Sequence, residues 1–488
     1  MTAHATLVDS FAGIEVLVVG DAMLDSYIEG SSSRLCPEGP VPVVDLERRA
    51  DCPGGAANVA ANVAALGGRA TLLSIVGDDS EGALLRSALE STGASCGPLA
   101  VDPARRTLVR RRVVSDSQLL VRVDEGTRAP LAPHTERIVI ARLEELFEGV
   151  DAVIISDYGY GVLGPGVVHA LSVLQARTPR LVAVDAKDLS AYRRVGVTAA
   201  KPNYSQLAGL VGADAEALDN GRVQGVVAVA PRVLDAIRAD VLAVTLDRDG
   251  AVVCERGRPA HRTFASAVPS SRSAGAGDTF LSALALALAA GAHTPAAAEI
   301  ASRAAAIVVA QARTATCGSS ELLAALAPES HKCVSGSSDL AAALKRLRRG
   351  GRRIVFTNGC FDILHRGHIS YLARARSLGD ALVVGVNSDA SVTRLKGRGR
   401  PVNRLEDRME VLAALSSVDL VVPFEEDTPS RLIEAVGPEV FVKGGDYTRE
   451  MLPEVATVEA SGGEVHILDL VADTSTTGIV ERIRAASP

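Results

Sequence analysis

Short runs of Val, Ile and Leu recur along this chain with helix-patterned segments between them, and this alternation limits the fold more than any other feature. In the first part the runs are Val16–Val19, Thr71–Val76, Ala152–Ser156, Leu181–Asp185 and Leu242–Thr245. Apolar runs of this kind, repeatedly separated by helices, form βαβ units and imply a mainly parallel sheet with helices on both faces. After Leu326 the texture changes to Ala327-Pro328-Glu329-Ser330-His331-Lys332, then Ser335-Gly336-Ser337-Ser338, the small and polar residues of a linker. A second series follows: Arg353–Phe356, Ala381–Val386, Leu420–Pro423, Val440–Lys443 and Glu464–Leu468. The expected organisation is an α/β domain over residues 1–328, a linker over 329–340 and a smaller α/β domain over 341–488.

Composition excludes several classes of function. A chain of 488 residues exceeds one ordinary core. Aromatics make up 3% and Trp is absent, so Ala, Val and Leu must fill the interiors. The net charge of −7 leaves no electrostatic footprint for nucleic acid. Arg110-Arg111-Arg112 and the cluster from Arg346 to Arg353 are short and locally balanced, and read as solvated faces. Seven scattered cysteines without a CxxC pair argue against a disulfide framework and a zinc site, and fit a reducing cytoplasm. No metal-ligand cluster stands out. The N-terminus lacks a basic n-region, and the longest apolar stretch, Phe280 to Ala292, is too short to span a bilayer. The expectation is a soluble cytoplasmic protein.

Two motifs carry chemistry. In the second part, Thr357-Asn358-Gly359-Cys360-Phe361-Asp362-Ile363-Leu364-His365-Arg366-Gly367-His368 lies between an apolar strand and a helical stretch. Two histidines at a strand-to-helix turn can aim ring N–H donors, together with helix N-terminal amides, at a negatively charged phosphorus centre. In the first part, Ala274-Gly275-Ala276-Gly277-Asp278 leads into an Ala/Leu-rich helix. Glycines before a helix expose amides that form an anion hole for a phosphoryl group, and Asp278 at the helix start is placed to take a proton from a substrate hydroxyl. An N-cap beside a glycine turn is the other reading of Asp278. Gly20-Asp21 through Asp25 puts two carboxylates at the end of a strand, where α/β sheets bind ligands. Pro53-Gly54-Gly55-Ala56-Ala57-Asn58 opens a helix and lets backbone approach a ligand, although a turn that simply needs glycine reads the same way. Neither GxxxxGK[ST] nor GxGxxG occurs, which excludes the ordinary P-loop and dinucleotide readings.

On these residues the first part resembles the ribokinase-type (pfkB) sugar kinases. Val18-Val19-Gly20-Asp21, Pro37 through Val44, Pro53 through Ala60, Ser156-Asp157-Tyr158-Gly159 and Lys201-Pro202-Asn203 resemble more closely the kinase half of the bacterial bifunctional heptose 7-phosphate kinase/heptose 1-phosphate adenylyltransferases. That resemblance implies a ribokinase-like three-layer domain with a small β lid, with Asp278 as base and the Gly275, Ala276 and Gly277 amides as anion hole. It further implies that Asp21, Asp25, Gly54, Gly55 and Asn58 hold the sugar, and that Asn203 organises Mg²⁺ and phosphate. The second part resembles the HxGH nucleotidyltransferases, a smaller Rossmann-like fold. By that resemblance His365 and His368 hold ATP phosphates, Lys396 neutralises substrate or leaving group, and Arg408 supports it. Gly359 and Phe361 line the nucleotide pocket, Gly444 and Asp446 approach the adenosine, Lys443 of the same stretch binds nucleotide or phosphate, and Ser475 and Thr476 contact phosphate.

The activity so implied is twofold: phosphorylation of D-glycero-β-D-manno-heptose 7-phosphate at O1, and adenylyl transfer from ATP to the heptose 1-phosphate. ATP is the substrate with Mg²⁺, a separate phosphatase acts between the two steps, and pairing of a Pro37–Leu46 lid makes a homodimer. The chain departs from the kinase pattern at three places: Gln206 closes the NxxE motif, Arg272-Ser273-Ala274 replaces Asp-x-Thr, and Tyr160 stands where relatives often have lysine. These departures motivate an alternative in which only the adenylyltransferase is active and the first part binds or dimerises. Another sugar phosphate as substrate is a further alternative.

Overall fold

The structure is a computed structural model that describes residues 3–115, 118–212, 221–264, 274–309, 311, 313–326, 332–334, 336–348, 351–445 and 448–468. The chain divides into two compact units, Met1–Leu326 and Ala327–Pro488.

The first unit is built on an eight-stranded sheet. From one edge its strands are His261–Thr263, Ala251–Glu255, Val241–Thr245, Ala199–Ala200, Leu181–Ala186, Ala152–Asp157, Glu15–Gly20 and Arg69–Leu73. All neighbours are parallel except at the first three strands, which form an antiparallel meander. Alternation along Glu15–Gly20 sends Val16 and Val18 into one core and Leu17 and Val19 into the other. Each face therefore needs helices. One is covered by Ala56–Ala65, Ala276–Ala289 and Thr294–Val309, the other by Pro133–Phe147, Pro165–Arg177 and Arg222–Ile237. Ala276–Ala289 is buried on every side from Asp278 through Ala287, which its nearly all-apolar sequence permits.

A separate four-stranded sheet forms a lid: Pro42–Gly55, Ala22–Leu35, Val109–Ser115 and Gln118–Glu125. The protruding pair is thus longer than Pro37–Leu46, whose residues make only the tip and the start of one strand. The lid strand Val109–Ser115 also corrects the reading of Arg110-Arg111-Arg112 as a solvated face. Arg112 is paired with the buried Asp25, and Arg111 with Glu81 and Glu125.

The second unit has a five-stranded, fully parallel sheet in the order Leu420–Phe424, Ala381–Asn387, Ile354–Gly359, Val440–Gly444, Glu464–Leu468. The strand order reverses between Ile354–Gly359 and Val440–Gly444, so the carboxyl ends of these two strands flank a topological switch point, the usual ligand crevice of such sheets. Part of the segment expected as linker belongs to this unit. Cys333 bridges to Val421, Lys332 Nζ donates to the carbonyls of Ala413 and Leu415, and the helix Ser337–Leu347 buries Leu340 and Leu344. Its small and polar residues hide this because the apolar anchors, Val334, Leu340 and Leu344, are single residues spaced among them rather than a run.

Among the described residues no helix is long and apolar enough to cross a membrane.

Candidate functional sites

In the first unit the carboxyl ends of the parallel strands open into a cavity of about 1300 Å³, lined among others by Tyr158, Asp185, Lys201, Gly275, Gly277 and Asp278. Gly275 has φ of +90°, and a Cβ there would come within 2.9 Å of the Asn58 amide nitrogen. Only glycine makes this turn while packing so closely on Asn58. The turn starts the helix Ala276–Ala289, whose first amides lie outside the helical ladder and open toward the cavity's Gly275–Gly277 wall.

Asp278 lies in the first turn of this buried helix; it is 8% exposed, and both of its oxygens are held. Asn58 Nδ2 donates to Oδ2 at 2.7 Å, and the Tyr158 hydroxyl donates to Oδ1 at 3.1 Å. Asn62 Nδ2 donates to Asn58 Oδ1 at 3.2 Å, which fixes the Asn58 amide with its NH₂ toward the carboxylate. Burial pushes the Asp278 carboxyl up to about 6; Asp185 adds to this, while the Asn58 and Tyr158 hydrogen bonds and the Lys201 charge oppose it. A carboxylate poised there is ionised at neutral pH yet basic enough to take a proton.

Lys201, 4% exposed, pairs with Asp185 at 2.7 Å, and its Nζ lies 3.3 Å from where a Gly277 Cβ would stand. A buried ammonium thus sits beside the Gly275–Gly277 turn. The Lys201-Pro202-Asn203 stretch marks it in the sequence, but only its packing against Gly277 reveals the charge as part of the site.

Other expected residues are placed differently. Asp21 is fully buried, and its carboxylate accepts from the backbone N–H of Tyr158, Tyr160 and Val162 at 2.9–3.2 Å. It anchors the loop that carries Tyr158, so it serves the site through that loop. Asp25 is held by Arg112 at 2.8 Å and by the Thr314 hydroxyl at 3.0 Å. Gly54 and Gly55 bring the lid strand against these groups: a Cβ on Gly54 would meet Asp25 at 2.9 Å, and one on Gly55, at φ of +59°, would meet the Asp21 carbonyl at 2.4 Å and a Tyr158 ring carbon at 3.3 Å. Asn203 lines the cavity, but its side chain caps the helix Tyr204–Val211 in a reciprocal box with Gln206. Glutamine performs that box as well as glutamate, which accounts for Gln206 in structural terms. Arg272 and Ser273 lie outside the described residues.

No group of three or more His, Cys, Asp or Glu that could hold a metal occurs among the described residues. The carboxylates that line the cavity form no such group, and Asp185 among them is already paired with Lys201; this fits Mg²⁺ that would arrive on nucleotide phosphates and keep several waters, rather than a dedicated protein cage.

In the second unit the strand Ile354–Gly359 ends beside the switch point and the chain turns through Phe361, at φ of +46°, into the helix Arg366–Arg376. His365 sits at the N-cap position and His368 in the first turn. Their rings lie 3.9 Å apart between centroids, and the Phe361 ring packs edge-on against His368 at 5.5 Å. Nδ1 of each histidine and Oδ1 of Asn358 are buried without a hydrogen-bond partner among the described residues. Burial lowers both histidines, His368 to about 4, with His365 and Lys396 adding to the second shift. Two neutral imidazoles at a helix N-terminus thus keep polar atoms that no described residue engages.

Lys396 is exposed at the end of the helix Asp389–Lys396, near enough to act on His368 and Cys360 electrostatically. Lys443 is buried at the end of the strand Val440–Gly444, and burial holds its ammonium below the usual lysine range. Gly359 and Gly444 close their strands on either side of the switch point. Asp446, Ser475 and Thr476 lie outside the described residues.

Arg408 differs from the expectation. It is 2% exposed, and its guanidinium donates to the carbonyls of Cys360, Asn387 and Asn403 and to the Asp389 carboxylate. Through these bonds it clamps the HxGH loop to the neighbouring strand. Asp362 works with it: fully shielded, it accepts from the Arg400 guanidinium and from the amides of Val402 and Asn403. No local signal separates such a buried clamp from a surface arginine, since of its partners only Asn403 is near in sequence and Cys360, Asn387 and Asp389 are brought to it by the fold. Arg408→Met is therefore expected to lower the unfolding free energy of the second unit by about 3 kcal/mol. Urea denaturation measures this; an unchanged stability with a raised KM would assign Arg408 to the substrate instead.

The pfkB family carbohydrate kinase pattern matches residues 14–321, and the cytidylyltransferase-like pattern matches residues 356–481. The chain is 44% identical over 471 residues to the bifunctional protein HldE of Pseudomonas paraeruginosa, covering 96% of this chain and 97% of that protein. It is 44% identical over 475 residues to the protein of the same name from Azotobacter vinelandii, with 96% and 97% covered. Among solved structures, Escherichia coli phosphofructokinase-2 in complex with substrates and products superposes with a TM-score of 0.53 at 22% identity, over 63% of this chain and 96% of that one. Arabidopsis thaliana ribokinase complexed with ribose and ATP gives 0.50 at 18% identity, over 64% and 99%. These structural likenesses concern the fold of the first unit.

Proposed function

Because the chain belongs to the family of the bifunctional HldE proteins, a pfkB carbohydrate kinase joined to a cytidylyltransferase-like domain, we propose that it performs two reactions of ADP-heptose synthesis. The first unit transfers the γ-phosphoryl group of ATP to O1 of D-glycero-β-D-manno-heptose 7-phosphate. The second transfers the adenylyl group of ATP to D-glycero-β-D-manno-heptose 1-phosphate and releases pyrophosphate. The observation that carries the kinase reading is Asp278, oriented by Asn58 and Tyr158 beside the glycine turn.

In the kinase, Asp278 takes the proton of the attacking O1 hydroxyl, while the helix amides and Lys201 stabilise charge on the transferred group. Asp185 would stand beside Mg²⁺ that arrived on ATP, and the ion would supply neutralisation of the phosphates. Asp278 must be ionised, so kcat/KM is expected to rise tenfold per pH unit up to about 6 and to level off above it. A pH–rate profile measures this, and a flat profile from pH 5 to 7 would remove Asp278 as the base.

In the second unit the nucleophile, a phosphate monoester oxygen, is already anionic and needs no base. His365 and His368 hold phosphate oxygens of ATP as charge grows at the α-phosphorus, and Lys396 and Lys443 neutralise the incoming and departing groups. A separate phosphatase removes the 7-phosphate between the two steps. Exposed Leu35, Val41 and Leu46 on the lid support a homodimer formed through it, and the substrates support action in the cytoplasm.

Position-labelled ATP tests the assignment. Label from γ-phosphate should enter the heptose bisphosphate, and label from α-phosphate should enter ADP-heptose once the 7-phosphate is removed. Absence of γ-label transfer with intact α-label transfer would leave only the second activity.

A further inference from the structure

The strands Ile354–Gly359 and Val440–Gly444 pair at Val355↔Val440 and Phe356↔Phe441, and there their shared ladder ends. Both continue on their outer sides, the first against Ala381–Asn387 as far as Gly359 and the second against Glu464–Leu468 as far as Gly444. The crevice of the switch point therefore opens directly after this last pair, between Thr357 and Val442.

A single hydroxyl spans the opening. Tyr371 is buried, and its hydroxyl donates to the Val442 carbonyl at 2.9 Å and lies 2.7 Å from the Thr357 hydroxyl. A carbonyl can only accept, so the phenolic proton is spent on Val442 and Thr357 is the donor of the second bond. Thr357 and Val442 are fully shielded from solvent, so neither can turn to bulk water instead. Tyr371 belongs to the helix Arg366–Arg376, three residues after His368 and so on the same side of that helix. Thr357 precedes Asn358, whose Oδ1 is unpartnered among the described residues, and Val442 precedes Lys443. One oxygen thus ties together the elements that carry the two histidines, Asn358 and Lys443. Leu372 and Ala375 hold the helix on the sheet by apolar contact, which is non-directional and tolerates sliding. Two hydrogen bonds to one oxygen do not, because their lengths and angles fix the helix against both strands at once.

On the reading of the second unit as a heptose 1-phosphate adenylyltransferase, we propose that Tyr371 is a positioning residue for adenylyl transfer. It acts through the histidine pair, whose height over the crevice it sets relative to the strands of Asn358 and Lys443.

Tyr371→Phe removes the oxygen and keeps the ring, so packing is retained while both bonds are lost. The variant should form ADP-heptose from supplied heptose 1-phosphate with kcat lowered about 30-fold and KM for ATP within about threefold, because a misplacement of about 1 Å is felt mainly in the transition state. In a His368→Asn background the same change should cost less than about threefold, since the group it aims is already gone. Phosphorylation by the first unit of the same protein should not change. Proton–carbon NMR of the histidine rings reads the placement without turnover: of the nine histidines, His365 and His368 should shift in Tyr371→Phe and the others should not. Thr357→Val, which cuts one arm and leaves the bond to Val442, should move the same two resonances by less and serves if the phenylalanine variant unfolds. Unmoved His365 and His368 resonances, an unchanged kcat, or a loss that simply adds to that of His368→Asn would overturn the proposal. A wild type whose histidines respond in this way but which makes no ADP-heptose would refute the adenylyltransferase reading while upholding Tyr371 as the residue that places them.

Discussion

Asp278→Asn is expected to lower heptose 7-phosphate phosphorylation by about 1000-fold, with ATP affinity little changed and adenylyl transfer by the same chain intact. The substitution keeps the size of the side chain but removes its basicity. The same change should stabilise the first unit at neutral pH. The carboxyl is raised in the folded protein from an ordinary 3.8 to about 6, so the folded state binds more protons than the unfolded state between those values. Stability from this group is fully present below pH 3.8 and is lost as pH rises through 6, a loss of about 3 kcal/mol by linkage. An asparagine at this position carries no such charge. The melting temperature of the variant should exceed that of wild type at pH 8, and the difference should vanish toward pH 4. An inactive variant with no stability gain would point to a damaged helix start rather than to a missing base.

The second large effect is expected at the paired histidines. His368→Asn, and separately His365→Asn, should each reduce kcat for ADP-heptose formation by about 100- to 1000-fold, because each removes a donor aimed at developing phosphate charge. Phosphorylation by the first unit should not change. A pH effect accompanies the His368 substitution. Burial lowers this imidazole from 6.5 to about 4, so the unfolded state binds more protons in that interval and wild-type stability falls as pH drops through it. His368→Asn should make the second unit less sensitive to acid between pH 6.5 and 4. Pyrophosphate release and acid titration of unfolding measure the two effects on the same protein.

Much of this architecture is legible in the chain itself. The ten apolar runs all fall on strands, nearly all of them in the two main sheets, and the central ones are unbroken Val, Ile and Leu because they are buried on both faces. Thr71–Val76 is broken at Ser74, whose hydroxyl donates to the Gly20 carbonyl and accepts from the Ala22 amide at the start of the lid. The lid itself is harder to read. Ala22–Leu35 carries Gly30-Ser31-Ser32-Ser33 on its exposed outer half, and a strand of that composition has no period to detect. Asp278 is readable because a lone carboxylate in GAGD precedes an all-apolar helix. Asp21, Asp25 and Arg408 look like binding residues in sequence, but their partners are at Tyr158–Val162, Arg112 and Cys360, contacts that only the folded chain creates. The placements of Lys201 and Asp362 are hidden in the sequence for the same reason.

The measurement closest to the central claim is phosphorus NMR of the intact protein with heptose 7-phosphate, ATP and Mg²⁺, followed by a phosphatase that removes the 7-phosphate. Resonances of the 1,7-bisphosphate should appear first, and those of ADP-heptose and pyrophosphate only after the phosphatase is added. If no bisphosphate forms while supplied heptose 1-phosphate is still converted to ADP-heptose, the Asp278 site is not a kinase and the two-activity account is wrong.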